Sequence, residues 1–195
     1  MFSGLGWNEV DRRSSDEFDF GLDNNMEGVT FWFTGLSGSG KTTLSYLAHE
    51  LLPEAQKPNF IVLDGDVVRQ RFGEFCYDDS ARQRLGERKI ELAAEYNRNG
   101  FHVLISGIAA KREWRKAARE AIRNYYEIYL SCPLDVVVAR DVKGLYREQG
   151  SEMVGLCSDY EEGGADLVVH TDLESVECSG KTIHAFIRSK LGAAW

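Results

Sequence analysis

Eight consecutive residues, Gly35-Leu36-Ser37-Gly38-Ser39-Gly40-Lys41-Thr42, have the types and spacing that hold a phosphate chain. They fit G-x-x-x-x-G-K-[ST], and they follow the apolar run Val29-Thr30-Phe31-Trp32-Phe33-Thr34, so the loop leaves a predicted strand and opens a helix. Gly35, Gly38 and Gly40 let backbone N–H groups converge on phosphate oxygens that a Cβ would obstruct. Ser37, Ser39 and Thr43 supply the remaining polar groups of this nucleotide-binding stretch. Lys41 adds a point charge near the β- and γ-phosphates, and the Thr42 hydroxyl is placed to ligate Mg²⁺. A helix expected from Thr43 to Leu52 turns its positive N-terminal end toward the same anion.

A second constellation follows another apolar run. Phe60-Ile61-Val62-Leu63 ends at Asp64-Gly65-Asp66. Two carboxylates one residue apart can divide labour, one holding Mg²⁺ through water and the other orienting or deprotonating a hydroxyl acceptor. Arg69, one short helical step beyond Asp66, can pair with a substrate phosphate or sulfate. Further on, Arg140-Asp141-Val142-Lys143-Gly144-Leu145-Tyr146-Arg147 brings cations to a segment that can close over the site. Cations there neutralise charge on a transferred phosphoryl group.

These groups need a scaffold, and the hydrophobic pattern provides one. Strands are expected at Val29–Thr34, Phe60–Leu63, Phe101–Ile105, Tyr125–Leu130 and Leu167–Val169. Between them lie helical stretches over 80–99, 111–123, 133–140 and 173–190, the first ended by the Asn99-Gly100 C-cap signal and the third opened by Pro133. Alternating strands and helices give an α/β three-layer sandwich with a mainly parallel sheet, whose ligands collect at the carboxyl ends of the strands. Residues 144–165 are Gly-rich and polar and suit a mobile lid; residues 1–27 read as a flexible arm ahead of a single domain over 28–195.

Composition narrows the function. A net charge of −8 over 195 residues argues against nucleic acid as the main partner, so phosphate recognition must be local. No apolar run reaches the ~20 residues needed to span a bilayer, and Asn8 to Arg13 interrupts any secretory apolar core. Cys76, Cys132, Cys157 and Cys178 lack C-x-x-C spacing, which favours reduced thiols in a cytoplasmic protein over a zinc site. His102 reads as a packed strand residue, His49 and His184 as helix-surface residues, and Trp114 as a packing residue.

Three stretches together resemble the adenylylsulfate kinase family: Thr34 to Leu44, Leu63-Asp64-Gly65-Asp66-Val67-Val68-Arg69, and Arg140-Asp141-Val142-Lys143-Gly144-Leu145-Tyr146, with weaker echoes at Ile105-Ser106, Tyr160-Glu161 and Thr171-Asp172. The resemblance implies a P-loop kinase that uses ATP and Mg²⁺ and phosphorylates the ribose 3′-hydroxyl of adenylylsulfate. It implies that Lys41 and Thr42 serve ATP and Mg²⁺, with Asp64 beside the metal and Arg140 on the nucleotide side. It casts Asp66 as the carboxylate facing the acceptor hydroxyl, Arg69 as an acceptor ligand and Lys143 as a lid cation. Tyr77, Arg82, Ile105, Ser106 and Met153 complete the implied acceptor set. Partners are then a small nucleotide substrate, with no nucleic acid and no membrane; a homodimer is left open.

The chain departs from the family's pattern in the acceptor half. Tyr77 stands at a Phe of the family, Ala81-Arg82-Gln83-Arg84-Leu85 keeps only the Arg of Asp-Arg-x-x-Asn, and Ser106-Gly107-Ile108-Ala109-Ala110 replaces Ser-Ala-Phe-Ile-Ser. Met153 stands where a second aromatic would help clamp the substrate base, so stacking weakens by about 1 kcal/mol or more. An intact donor half beside a rewritten acceptor half points to a kinase whose acceptor can differ. Kinases resembling the family act on cytidine diphosphoramidate, which makes that compound the alternative acceptor; a non-catalytic nucleotide-binding module is the other alternative.

Overall fold

The computed structural model describes residues 27–74, 76, 78–141, 144–148, 154–156 and 160–192. The arm before Glu27, and Tyr77, Lys143 and Met153 of the expected site, lie outside the described residues.

Strand β1 (Thr30–Thr34) is buried along its whole length, as a central strand covered on both faces must be. It pairs in parallel with β3 (His102–Ser106) on one side and β4 (Tyr125–Ser131) on the other. β2 (Phe60–Asp64) and β5 (Leu167–His170) form the edges, giving the order β2-β3-β1-β4-β5. The helices are α1 (Lys41–Glu50), α2 (Gly65–Arg71), α3 (Asp79–Arg98), α4 (Arg112–Ala121), α5 (Leu134–Arg140), α6 (Leu145–Glu148) and α7 (Val176–Leu191).

Strand alternation decides which layer each side chain joins. Phe31 and Phe33 face α1 and α7, packing with Leu104, Ile128, Leu44, Ala48, Ile183 and Ile187. Trp32 faces the other way, with Val103, Ile105 and Tyr125, against Leu85 and Ala93 of α3, Ala118 of α4 and Ile122 just after it. The expected three-layer α/β sandwich is therefore present, with β1 at its centre.

The strand order also fixes where a ligand sits. From β1 the chain crosses through α1 to β2 at one edge, whereas from β3 it crosses through α4 to β4 on the other side of β1. The connections diverge between β1 and β3, which opens a crevice at their carboxyl ends.

Two helix starts differ from the sequence expectation for local reasons. α1 begins at Lys41, two residues early, because Gly40 adopts the left-handed conformation (φ 95°) that turns the loop directly into the helix. α7 begins at Val176, not Leu173, because the Ser175 side chain accepts from the Cys178 N–H at 3.2 Å and sets the N-cap.

Residues 160–164, inside the expected lid, are fastened to the sheet. The Tyr160 hydroxyl lies 2.8 Å from Thr34 Oγ1, and the Glu161 N–H donates to the Ala110 carbonyl at 2.9 Å. Buried Arg115 donates to the carbonyls of Glu161 and Gly163 while its Nε pairs with buried Glu127 at 3.0 Å. Val154 is buried beside Leu36, Val137 and Tyr146, at the carboxyl end of the sheet.

Candidate active site

The phosphate loop spans the gap between β1 and α1. Its shape depends on glycine at Gly35 (φ 142°), where a Cβ would come 2.5 Å from the Leu130 carbonyl oxygen. No side chain caps α1, whereas Asp64, Asp78 and Ser175 cap α2, α3 and α7. The first N–H groups of α1 thus remain available to an anion in the crevice. Lys41 Nζ reaches back across the loop to the Leu36 carbonyl at 2.6 Å. From the other side, the Tyr146 hydroxyl donates to the Ser37 carbonyl at 3.0 Å and braces the loop.

Asp64 ends β2, and the register of β2 with β3 sets it opposite Ser106. One carboxylate oxygen accepts from the hydroxyls of Thr42 and Ser106, each at 2.8 Å. The other caps α2, accepting from the N–H groups of Asp66 (2.9 Å) and Val67 (3.3 Å). Burial raises the carboxyl pKa, but these four donors outweigh it and hold Asp64 below the usual carboxylate range. Asp64 is therefore an ionised hub that ties the phosphate loop, β3 and α2 together.

Asp66, in the first turn of α2, is exposed on the same cleft. The cleft holds about 190 Å³ and is lined by Ser37, Gly38, Gly40, Lys41, Thr42 and Thr43 together with Arg69 and Arg82. Arg69, from α2, donates to the carbonyls of Glu74 (3.1 Å) and Cys76, and so holds the turn between α2 and α3. Arg82, from α3, pairs with Asp79 at 3.3 Å, and Asp79 in turn pairs with Lys111 at 2.8 Å. The loop between β1 and α1, a carboxylate and two guanidinium groups thus share one cleft.

Most expected residues converge on this cleft: the loop residues with Lys41, Thr42 and Thr43, then Asp64, Asp66, Arg69, Arg82 and Ser106. Ser39 and Gly35 lie beneath it, Ser39 being buried with its hydroxyl unpartnered. One expectation needs correction, and a second residue stands apart from the cleft lining. The Ile105 side chain packs, fully buried, in the layer under α3 and α4, because alternation along β3 turns it into the core one residue before the strand opens into the cleft. Arg140 lies outside the cleft wall, exposed at the end of α5, where it donates to the Thr171 carbonyl at 2.8 Å.

The Arg140–Tyr146 stretch has a structural role that spacing alone does not reveal. Asp141 takes a positive φ (23°), accepts from the Tyr146 N–H at 3.1 Å and pairs with Arg147 at 3.0 Å. That turn delivers Tyr146 onto the phosphate loop. Two residues of the site region carried no sequence signal: Arg115, which anchors residues 160–164, and Lys89 of α3, whose ammonium lines the cleft. Both stand in polar helical runs that look solvated; only the alternation of Leu85, Lys89 and Ala93 with exposed neighbours marks position 89 as inward-facing.

The adenylylsulphate kinase family model matches residues 27–170. An adenylyl-sulfate kinase of Halothermothrix orenii is 36% identical over 85% of this chain and 92% of its own length. A cytidine diphosphoramidate kinase of Campylobacter jejuni is 35% identical over 71% of this chain and 84% of its own. Among solved structures, the Mycobacterium tuberculosis APS kinase in complex with AMPPNP and APS superposes with a TM-score of 0.73 at 29% identity, covering 84% of this chain and 99% of that one.

Proposed function

The chain belongs to the adenylylsulphate kinase family and is an ATP-dependent phosphotransferase, and we propose that it moves the γ-phosphoryl group of ATP to the 3′-hydroxyl of adenylylsulfate. The observation that carries this reading is that Lys41, Thr42 and Asp66 line one cleft together with Arg69 and Arg82. The backbone amides of the loop and of the first turn of α1 bind the ATP phosphates, and Lys41 leaves the Leu36 carbonyl for the phosphate oxygens. Asp66 orients the acceptor hydroxyl and takes its proton as the oxygen attacks phosphorus. Arg69 and Arg82 bind the anionic tail of the acceptor. Tyr77, Lys143 and Met153 belong to the acceptor wall and its cover in this reading.

Magnesium fits the residues present. Thr42 Oγ1 is an oxygen donor at the phosphate end, and ionised Asp64 lies 2.8 Å behind it. Thr42 would hold the ion directly and Asp64 through water, and the bound ion would screen charge on the phosphate oxygens.

A second acceptor is favoured by one observation. A relative 35% identical over 71% of this chain acts, by its name, on cytidine diphosphoramidate. Purified protein with Mg²⁺-ATP and the two acceptors in parallel discriminates: the main reading expects a higher kcat/KM with adenylylsulfate. A large advantage for the cytidine conjugate replaces that acceptor without changing the chemistry, and ADP release indifferent to both refutes the reading.

A further inference from the structure

Lys89 is 3% exposed, yet its ammonium lies on the wall of the cleft. Arg82, Leu85 and Lys89 are spaced i, i+3, i+7, so one face of α3 presents all three to the acceptor side, with Lys89 deepest toward the sheet. Among the described residues no hydrogen-bond or ion-pair partner meets this ammonium. It lies over the Trp32 ring, with Nζ 5.1 Å from the ring centroid. Asp64, the nearest buried carboxylate, is already occupied by four donors.

The surroundings make room for the cation. The Trp32 indole N–H donates to the Gly107 carbonyl at 3.0 Å and fixes that turn after β3. A methyl group on Gly107 would collide with Lys89 Nζ. A Cβ on Gly65 would lie 3.8 Å from it. Two glycines thus leave space around a buried cation that no described residue neutralises by contact. A lysine serving only to pack would end on a carboxylate or snorkel to water.

We propose that Lys89 is an acceptor-binding residue whose ammonium, at the floor of the cleft, donates to an anionic oxygen on the sulfated or phosphorylated tail of the nucleotide conjugate. The inference rests on the reading of the cleft as a nucleotide-conjugate site. Burial and the neighbouring Arg69 push the ammonium pKa down to about 8, against the pull of Asp64 and Asp66, which agrees with a cation awaiting a counter-ion. A bound anion would give Lys89 its counter-ion in the cleft that Arg69 and Arg82 also line.

The test compares wild type with Lys89→Met and Lys89→Arg, using adenylylsulfate and cytidine diphosphoramidate as the two acceptor arms and adenosine and cytidine as tail-less competitors. Lys89→Met is expected to raise the acceptor KM about 10- to 100-fold, the size of a lost charged hydrogen bond. The KM for ATP and the inhibition constants of the tail-less nucleosides should stay within about twofold, and Lys89→Arg should recover part of the loss. Gly107→Ala, whose methyl takes the ammonium's room, is the second variant and should show the same selective loss. The arm with the larger penalty identifies which tail Lys89 contacts. An unchanged acceptor KM in both Lys89→Met and Gly107→Ala, or equal penalties on ATP and acceptor, overturns the inference while leaving the kinase reading intact. A wild-type protein that turns over neither acceptor overturns both.

Discussion

Asp64 and Asp66 stand one residue apart, yet their surroundings give them different work. Four donors surround the Asp64 carboxylate, while Asp66 opens onto the cleft beside the phosphate loop. Replacing Asp64 by Asn converts one acceptor oxygen into an N–H₂ donor aimed at groups that themselves donate. Asp64→Asn should therefore cost about 1–3 kcal/mol in urea unfolding, besides any effect on turnover. His102 supplies a pH signature. Its Nδ1 accepts from the Val29 N–H at 3.0 Å, and burial pushes its pKa down to about 4. The unfolded chain, with an ordinary value near 6.5, takes up the proton first. The contribution of neutral His102 is thus fully present above about pH 6.5 and is lost as the pH falls toward 4, on the order of 3 kcal/mol in all. His102→Gln, which keeps an acceptor for Val29, should flatten the loss of stability over that window; an identical acid limb in the variant would show that other groups set it.

At the scale of elements, the glycine loop and Asp64-Gly65-Asp66 were legible because their chemistry is local: each motif leaves a strand and opens a helix within a few residues. The five strands were legible for the same reason, since short β-branched and aromatic runs between turn signals have few alternatives. What escaped notice depends on contacts far along the chain. Arg115 reads as one cation in a basic helix, yet it reaches residues 46 and 48 positions away and pairs with Glu127 in the core. Residues 160–164 accordingly read as polar lid, because groups that hold them lie on β1, on α4 and at Ala110, far back along the chain. The structure makes this anchor testable. Arg115→Met leaves Glu127 buried without its counter-ion, and should lower stability by about 3–5 kcal/mol in a denaturant titration. Arg115→Met with Glu127→Gln should recover much of that loss; a single variant as stable as wild type would show that the pair contributes nothing. Ile105 was misplaced for an equally physical reason. The sequence marks a strand end but not which of its last two side chains points into the core.

The whole molecule is acidic, with a net charge of −8, but Lys41, Arg69, Arg82 and Lys89 all line one cleft. Local convergence, produced by the divergence of crossovers around β1, outweighs the global charge in deciding what binds. Thr42, Asp64 and Ser106 lock the ends of three elements together by hydrogen bonds, so the loop and the Asp64-Gly65-Asp66 turn hold a fixed relation to each other. The account's central claim is that Asp66 serves phosphoryl transfer from ATP to an acceptor hydroxyl across this cleft. Acceptor-dependent ADP release by wild type and Asp66→Asn, at saturating Mg²⁺-ATP and acceptor, tests it most directly. The account predicts that wild type releases ADP only with acceptor present, and that Asp66→Asn loses about 10²- to 10⁴-fold in kcat while its thermal midpoint and ATP affinity stay near wild type. A variant that turns over acceptor at the wild-type rate would contradict it.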